Sequence, residues 1–338
     1  QDRSPKPERV TNMPTATADR KLTAKDFQVP FPNDWCPGCG DFGILNAIQQ
    51  AFAKLELEAH KVAVVGGIGC SGKAPYFFPV YGVHTLHGRL LPFAHGIKLA
   101  NPEMTVVGVG GDGDGLGIGA GHFVNSGRRN LDMTYILFNN EVYGLTKGQA
   151  APTLAMGLQP KSLPEPNIQG QLNSLMMAMS VGFTWIGRGY SYNVKKVVDL
   201  VVEAIQHPGL SFLDILQPCP TYNNLHTKDW YAGKDLNSGQ PRVYWLDDTD
   251  YDPVIPPDAD EATALGKMNE FLVKVHEWGD EIPAGVFLDN RATSTFADRV
   301  ETRIENYRAQ PPNKRRVADA SGKPTADLSK IFNDVRMT

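Results

Sequence analysis

The 338-residue chain is poor in cysteine: it has four, Cys36, Cys39, Cys70 and Cys219. That is too sparse for a disulfide-dense scaffold, and a cytosolic chain more often uses such a set for metal or redox chemistry. Long apolar runs are missing too. None approaches the roughly 20 residues of a membrane helix. The amino-terminal stretch QDRSPKPERVTNMPTATADRK is polar and lacks the apolar core of a signal peptide. The expected location is therefore the cytoplasm, and residues 1–30 read as a flexible arm able to wrap a partner. Excess charge is also absent: 33 Lys and Arg stand against 37 Asp and Glu, a net −4. Nothing argues for binding nucleic acid or a membrane surface, and an anionic ligand would need a local cradle. There is no internal repeat.

What is present is a regular alternation. Asp41 to Leu57 carries apolar residues at helical spacing, with Asp41 placed to cap its start. KVAVVGGIGC follows as a Val-rich buried strand leading to Cys70. Residues 93–102 read as a helix stopped at Asn101-Pro102. MTVVGVGGDGD and MTYILFNN are further buried strands, separated by the small-residue helix LGIGAGHFVNSGRR. A helix and strand over SLMMAMSVGFTWIGRG, an amphipathic helix over NVKKVVDLVVEAIQ, and the strand LSFLDILQPCP complete the series. This order predicts an α/β fold: a doubly wound, mostly parallel sheet with helices on both faces and ligands at the carboxyl ends of the strands. Residues 31–227 form the expected core domain. Past Lys228 the texture becomes irregular, and residues 228–338 read as an extension clasping the core or a partner. It holds a helix over EATALGKMNEFLVKVHEWG and a possible second one within 292–308.

Two of these strand ends carry G-D-G-D, Gly111 to Asp114, and N-N, Asn139 and Asn140. A diphosphate binds through a divalent metal and backbone N–H groups at a glycine-rich turn. Magnesium takes a few oxygen ligands from protein and the rest from phosphate and water. Asp112 can supply a carboxylate and Asn140 an amide oxygen, while Gly111 and Gly113 let the backbone approach. Asp114 can hold a metal-bound water or cap the next helix, capping being favoured. The spaced GDG and NN resemble the thiamine diphosphate motif of thiamine-dependent enzymes. That resemblance adds the carbonyl of Val142 to Asp112 and Asn140 as a magnesium ligand.

The cysteines form one C-x-x-C pair and two singles, and each single follows a buried strand of the same sheet. They can converge, and four thiolates bind either zinc or a [4Fe–4S] cluster. Beside thiamine diphosphate, which yields an electron-rich centre after loss of CO2 from a 2-oxoacid, the redox-active cluster fits better than redox-inert zinc. WCPGCGDFGIL, GIGCSGK, LHGR, GDGD with NN, EVYGLTKGQ and QPCP together resemble the β subunit of the split-chain 2-oxoacid:ferredoxin oxidoreductases, over about Trp35 to Tyr222.

The resemblance implies that Cys36, Cys39, Cys70 and Cys219 ligate one [4Fe–4S] cluster near the thiamine. It places Gly144, Leu145 and Thr146 at the cofactor, Lys73 by the substrate carboxylate, and His87 and Arg89 along the pocket. It assigns Lys147 a weak link to coenzyme A phosphates and leaves His84, His95 and His122 to packing. It implies an α-subunit partner carrying the pyrimidine half and the activating glutamate, ferredoxin as acceptor, coenzyme A as co-substrate, and an (αβ)2 assembly. Leu145 stands where pyruvate-specific single-chain relatives carry asparagine, and the motif wording leans to 2-oxoglutarate. The alternatives are the same chemistry on pyruvate, indolepyruvate or another 2-oxoacid, a non-redox thiamine decarboxylase with structural zinc, and a scaffold that regulates a partner.

Overall fold

The computed structural model describes residues 20–327, 329–334 and 336. Its strands are β1 (Val62–Gly66), β2 (Tyr81–His84), β3 (Thr105–Gly111), β4 (Met133–Asn139), β5 (Val142–Tyr143), β6 (Gln149–Ala150), β7 (Trp185–Tyr190), β8 (Leu210–Leu216), β9 (Val243–Trp245), β10 (Val254–Ile255) and β11 (Ile282–Asn290). The main sheet runs β10-β11-β7-β8-β4-β3-β1-β2, with β9 paired to β11 and a separate β5–β6 hairpin. Every main-sheet pairing is parallel except β11 with β7. The middle strands are buried almost throughout. Their unbroken Val, Ile and Leu runs are what a parallel strand covered on both faces requires.

The covering helices are α1 (Asp41–Lys54), α2 (Leu90–Ala100), α3 (Ala120–Arg129), α4 (Ser174–Val181), α5 (Val194–Gln206), α6 (Lys228–Tyr231), α7 (Glu261–Lys274) and α8 (Phe296–Glu301). One face packs Ile44, Ile48 and Phe52 of α1 with Val197 and Val201 of α5 against Val64, Val107 and Ile136. The other packs Leu90, Phe123, Leu175 and Phe271 against Val65, Tyr135 and Phe212. No helix among the described residues is long and apolar enough to cross a membrane.

Three local expectations are corrected. Asp41 does not cap α1: Gly40 occupies the cap position, and the Asp41 carboxylate is buried without a hydrogen-bond partner. The amino-terminal arm was expected to be flexible to residue 30, yet Leu22 and Phe27 are core residues. A turn over Ala24–Phe27, closed by a Thr23–Asp26 capping box, sets the Phe27 ring edge-on to Phe52 at 5.6 Å. Residues 1–19 of that arm lie outside the described residues. The helix expected within 292–308 shortens to α8. The extension holds to the core by strand pairing: β11 adds to β7, and β9 and β10 add to β11.

Candidate active site

Four neighbouring strands deliver the site. Along the sheet, β8, β4, β3 and β1 lead at their carboxyl ends to Cys219, Asn140, Asp112 and Cys70 in turn. The two single cysteines therefore flank the diphosphate motif. The C-x-x-C loop spans them: Trp35 Nε1 donates to the Cys70 carbonyl (2.8 Å) and Gly40 N–H to the Pro218 carbonyl (3.2 Å).

Gly111, Asp112, Gly113, Asp114, Asn140, Val142, Gly144, Leu145 and Thr146 line one cleft, together with Ile68, Cys70, Ser71, His87 and Tyr143. No Lys or Arg is among the residues lining it. A polyanion held there by this chain depends on backbone N–H groups and a metal. After Asp112 the chain makes a π-helical turn, Gly113–Ile118, before α3. Such turns are rare and concentrate at functional sites. Gly113 has no room for a side chain, because a Cβ would stand 2.4 Å from the Tyr143 ring.

Asp112 is 1% exposed, and burial pushes its carboxyl up to about 7. The Thr153 hydroxyl lies against Asp112 Oδ2 and 2.9 Å from Asn139 Oδ1. A buried carboxylate so short of positive charge fits a divalent cation. Asn140 Oδ1 accepts from Val142 N–H (3.0 Å), which folds the amide oxygen and the Val142 carbonyl into one turn. That turn needs Glu141 at φ 66°, a left-handed conformation unfavourable for a non-glycine residue. Glu141 is held there by its own buried carboxylate, which accepts from Asn223 Nδ2 (2.9 Å) and pairs with His226 Nδ1 (2.5 Å).

Asp114 does not cap the following helix, where Asp112 holds the cap position. Its Oδ1 accepts from the N–H groups of Ile68 (2.9 Å) and Gly88 (2.8 Å), clamping two loops to the π-helical turn. His87 Nδ1 is 2.8 Å from the same oxygen, out of line for a hydrogen bond.

Each of the four thiols lies within electrostatic range of at least one other. Cys39 feels Cys219 and Cys70, and Cys70 feels Cys219 and Cys36. Burial pushes Cys70 up to about 11 and Cys39 higher. Among the described residues no three His, Cys, Asp or Glu side chains converge on a single-ion site. Zinc needs its thiolate sulfurs about 2.3 Å from one point. A four-iron cube takes one thiolate per iron, and either group would draw on the same four cysteines. Cys70 Sγ also borders the cleft, 3.5 Å from where a Cβ on Gly144 would sit.

Of the three residues predicted to act on substrate, only His87 lines the cleft. Lys73 is turned to Asp34 (2.7 Å), and Arg89 is exposed at the start of α2. Thr153 and Asn223 support the site from outside any motif, and Glu141 and Gln217 do so from within EVYGLTKGQ and QPCP in roles the motifs did not mark.

The fold and this cleft are those of a thiamine pyrophosphate-binding domain. Residues 67–215 match the family described as thiamine pyrophosphate enzyme, C-terminal TPP binding domain, and residues 219–304 match the C-terminal family of the pyruvate ferredoxin oxidoreductase beta subunit. The chain is 51% identical over 311 residues to the 2-oxoacid:ferredoxin oxidoreductase subunit beta of Saccharolobus solfataricus, covering 90% of this chain and 97% of that one. It is 38% identical over 218 residues to the 2-oxoglutarate oxidoreductase subunit KorB of Mycobacterium tuberculosis, covering 64% and 58% respectively. A solved 2-oxoglutarate:ferredoxin oxidoreductase from Magnetococcus marinus, with 2-oxoglutarate, coenzyme A and succinyl-CoA bound, superposes with a TM-score of 0.73 at 31% identity, covering 94% of this chain and 97% of the other. The chain thus belongs to the 2-oxoacid:ferredoxin oxidoreductase β-subunit family, and is a subunit of an oxidoreductase.

Proposed function

We propose that this subunit, joined to an α subunit that brings the pyrimidine half and the activating glutamate, catalyses coenzyme A-dependent oxidative decarboxylation of 2-oxoglutarate in the cytoplasm. The balanced reaction is 2-oxoglutarate, coenzyme A and two oxidised ferredoxins giving succinyl-CoA, CO2, a proton and two reduced ferredoxins. It is reversible in principle. Thiamine diphosphate supplies the carbanion chemistry, and a [4Fe–4S] cluster accepts electrons one at a time.

This chain's own residues hold and orient. Asp112, Asn140 and the Val142 carbonyl would hold magnesium. Gly111 and Gly113 would let the backbone close on the diphosphate, and the β5–β6 hairpin with Gly144, Leu145 and Thr146 would cover it. Cys36, Cys39, Cys70 and Cys219 would hold the cluster. His87 is this chain's candidate for contact with substrate. Lys73 and Arg89 do not line this chain's cleft, and the cations for a dicarboxylic substrate would come from these residues in the assembled complex or from the α subunit. The observation that carries the reading is that one cleft joins the diphosphate motif to Cys70.

The test is iron, sulfide and zinc analysis with EPR on the anaerobically purified αβ complex. About four irons with matching sulfide, and a reduced-cluster signal that appears with 2-oxoglutarate and coenzyme A, is the expected result. One zinc and no iron would overturn the redox half. A signal with pyruvate but not 2-oxoglutarate would overturn the substrate.

A further inference from the structure

Gln217 stands between the two halves of the site. It follows β8 directly and is 2% exposed. Its backbone N–H donates to the carbonyl of Asn139 (2.8 Å), next to Asn140. Its side-chain amide nitrogen has two hydrogens and two acceptors: the Pro218 carbonyl at 2.8 Å and Cys39 Sγ at 3.2 Å. The orientation of the amide is fixed, because the Pro218 oxygen can only accept and so demands the nitrogen on its side. The C-x-x-C loop closes tightly on this side chain. A Cβ on Gly40 would lie 2.8 Å from Gln217 Cγ, and Gly40 N–H shares the Pro218 carbonyl at 3.2 Å. A motif glycine, a proline carbonyl and a buried amide thus combine to aim one N–H at one cysteine sulfur.

We infer that Gln217 is a positioning residue that holds Cys39 and raises the reduction potential of the cluster through its N–H to Cys39 Sγ. The inference rests on the proposed function, which places a cluster on these cysteines. One electron entering a thiolate-bound cluster adds one negative charge to the iron–sulfur unit and moves no proton. A donor aimed at a ligand sulfur stabilises the more negative, reduced form more than the oxidised form. Gln217 also ties that sulfur to the end of β4, so the cysteine loop and the diphosphate loop keep a fixed separation.

The test uses the anaerobic αβ complex carrying Gln217→Met, which keeps length and removes the donor, with Gln217→Leu as a second donor-free variant. The readout is EPR-monitored redox titration alongside iron content. Removing a hydrogen bond of ordinary net strength should lower the reduced-to-oxidised ratio at the wild-type midpoint by about 2- to 10-fold, at unchanged iron content. The KM for the 2-oxoacid should stay constant, because Gln217 does not line the cleft. An unmoved midpoint in an iron-replete variant would overturn the inference and leave the cluster reading intact. Iron lost from both variants would reduce Gln217 to a structural residue and overturn its redox role. A wild-type complex without iron would overturn the cluster reading itself.

Discussion

Removing the Thr153 hydroxyl tests how the metal end of the site works. One hydroxyl hydrogen faces two acceptors, Asp112 Oδ2 and Asn139 Oδ1 at 2.9 Å. In the metal-free protein at or below pH 7 the Asp112 carboxyl holds a proton much of the time, since burial raises it to about 7. It can then donate to Thr153 while Thr153 donates to Asn139. A divalent cation requires the carboxylate, and Thr153 then donates to Asp112 instead. Thr153→Val keeps the shape and removes both arrangements. The metal-bound form loses one bond to a charged group, about 1.5–3 kcal/mol, and the metal-free form loses two neutral ones, about 1 kcal/mol each. The difference, up to about 1 kcal/mol, weakens metal binding by up to about 5-fold. Mn2+ titration followed by EPR, with thiamine diphosphate present, measures it on the αβ complex. Thr153→Ser should stay near wild type. If Thr153→Val binds Mn2+ as tightly as wild type or more tightly while Asp112→Asn does not bind it, the hydroxyl does not support the ligand and the reasoning fails.

Gly113→Ala should displace the Tyr143 ring from a Cβ contact of 2.4 Å, cost about 1–3 kcal/mol as overpacking, and weaken thiamine diphosphate binding. Urea melts and cofactor fluorescence quenching would read both, and an unaffected cofactor affinity would refute it. Phe27→Ala should cost about 3–5 kcal/mol if the segment before the C-x-x-C loop is part of the core, and almost nothing if that segment is mobile. The raised Asp112 carboxyl makes its contribution to folding largest below its unfolded value of 3.8, and that contribution is lost as pH rises through about 7. In the metal-free protein, Asp112→Asn should therefore gain on wild type by on the order of 3 kcal/mol between pH 5 and pH 7.5. A difference that stays flat across that range would show that Asp112 is ionised throughout.

The parts of this molecule legible in sequence are those whose signal is local. Strands β1, β3, β4 and β8 announce themselves because central parallel strands are apolar on both faces, and the glycine-rich turns follow directly from strand ends. Strand β11 escaped because Pro283 and Gly285 interrupt its apolar run and its antiparallel pairing with β7 needs no helix before it. Strand β2 is largely exposed, so its residues carry no burial pattern. The fate of charged side chains was hidden for a different reason. Lys73 finds Asp34 39 residues earlier, and Asp114 Oδ1 accepts from the N–H groups of Ile68 and Gly88, pairings that no spacing rule encodes. Thr153 reaches Asp112 across 41 residues, and Gln217 reaches Cys39 across 178. A motif marks the atoms that would touch a cofactor, because backbone geometry restricts them to a few residue types at fixed offsets. The residues that aim those atoms answer only to a three-dimensional neighbour, and any segment the fold brings close can supply them. The supporting shell of Thr153, Gln217, Asn223 and Glu141 is therefore where the fold adds most to what the motifs say.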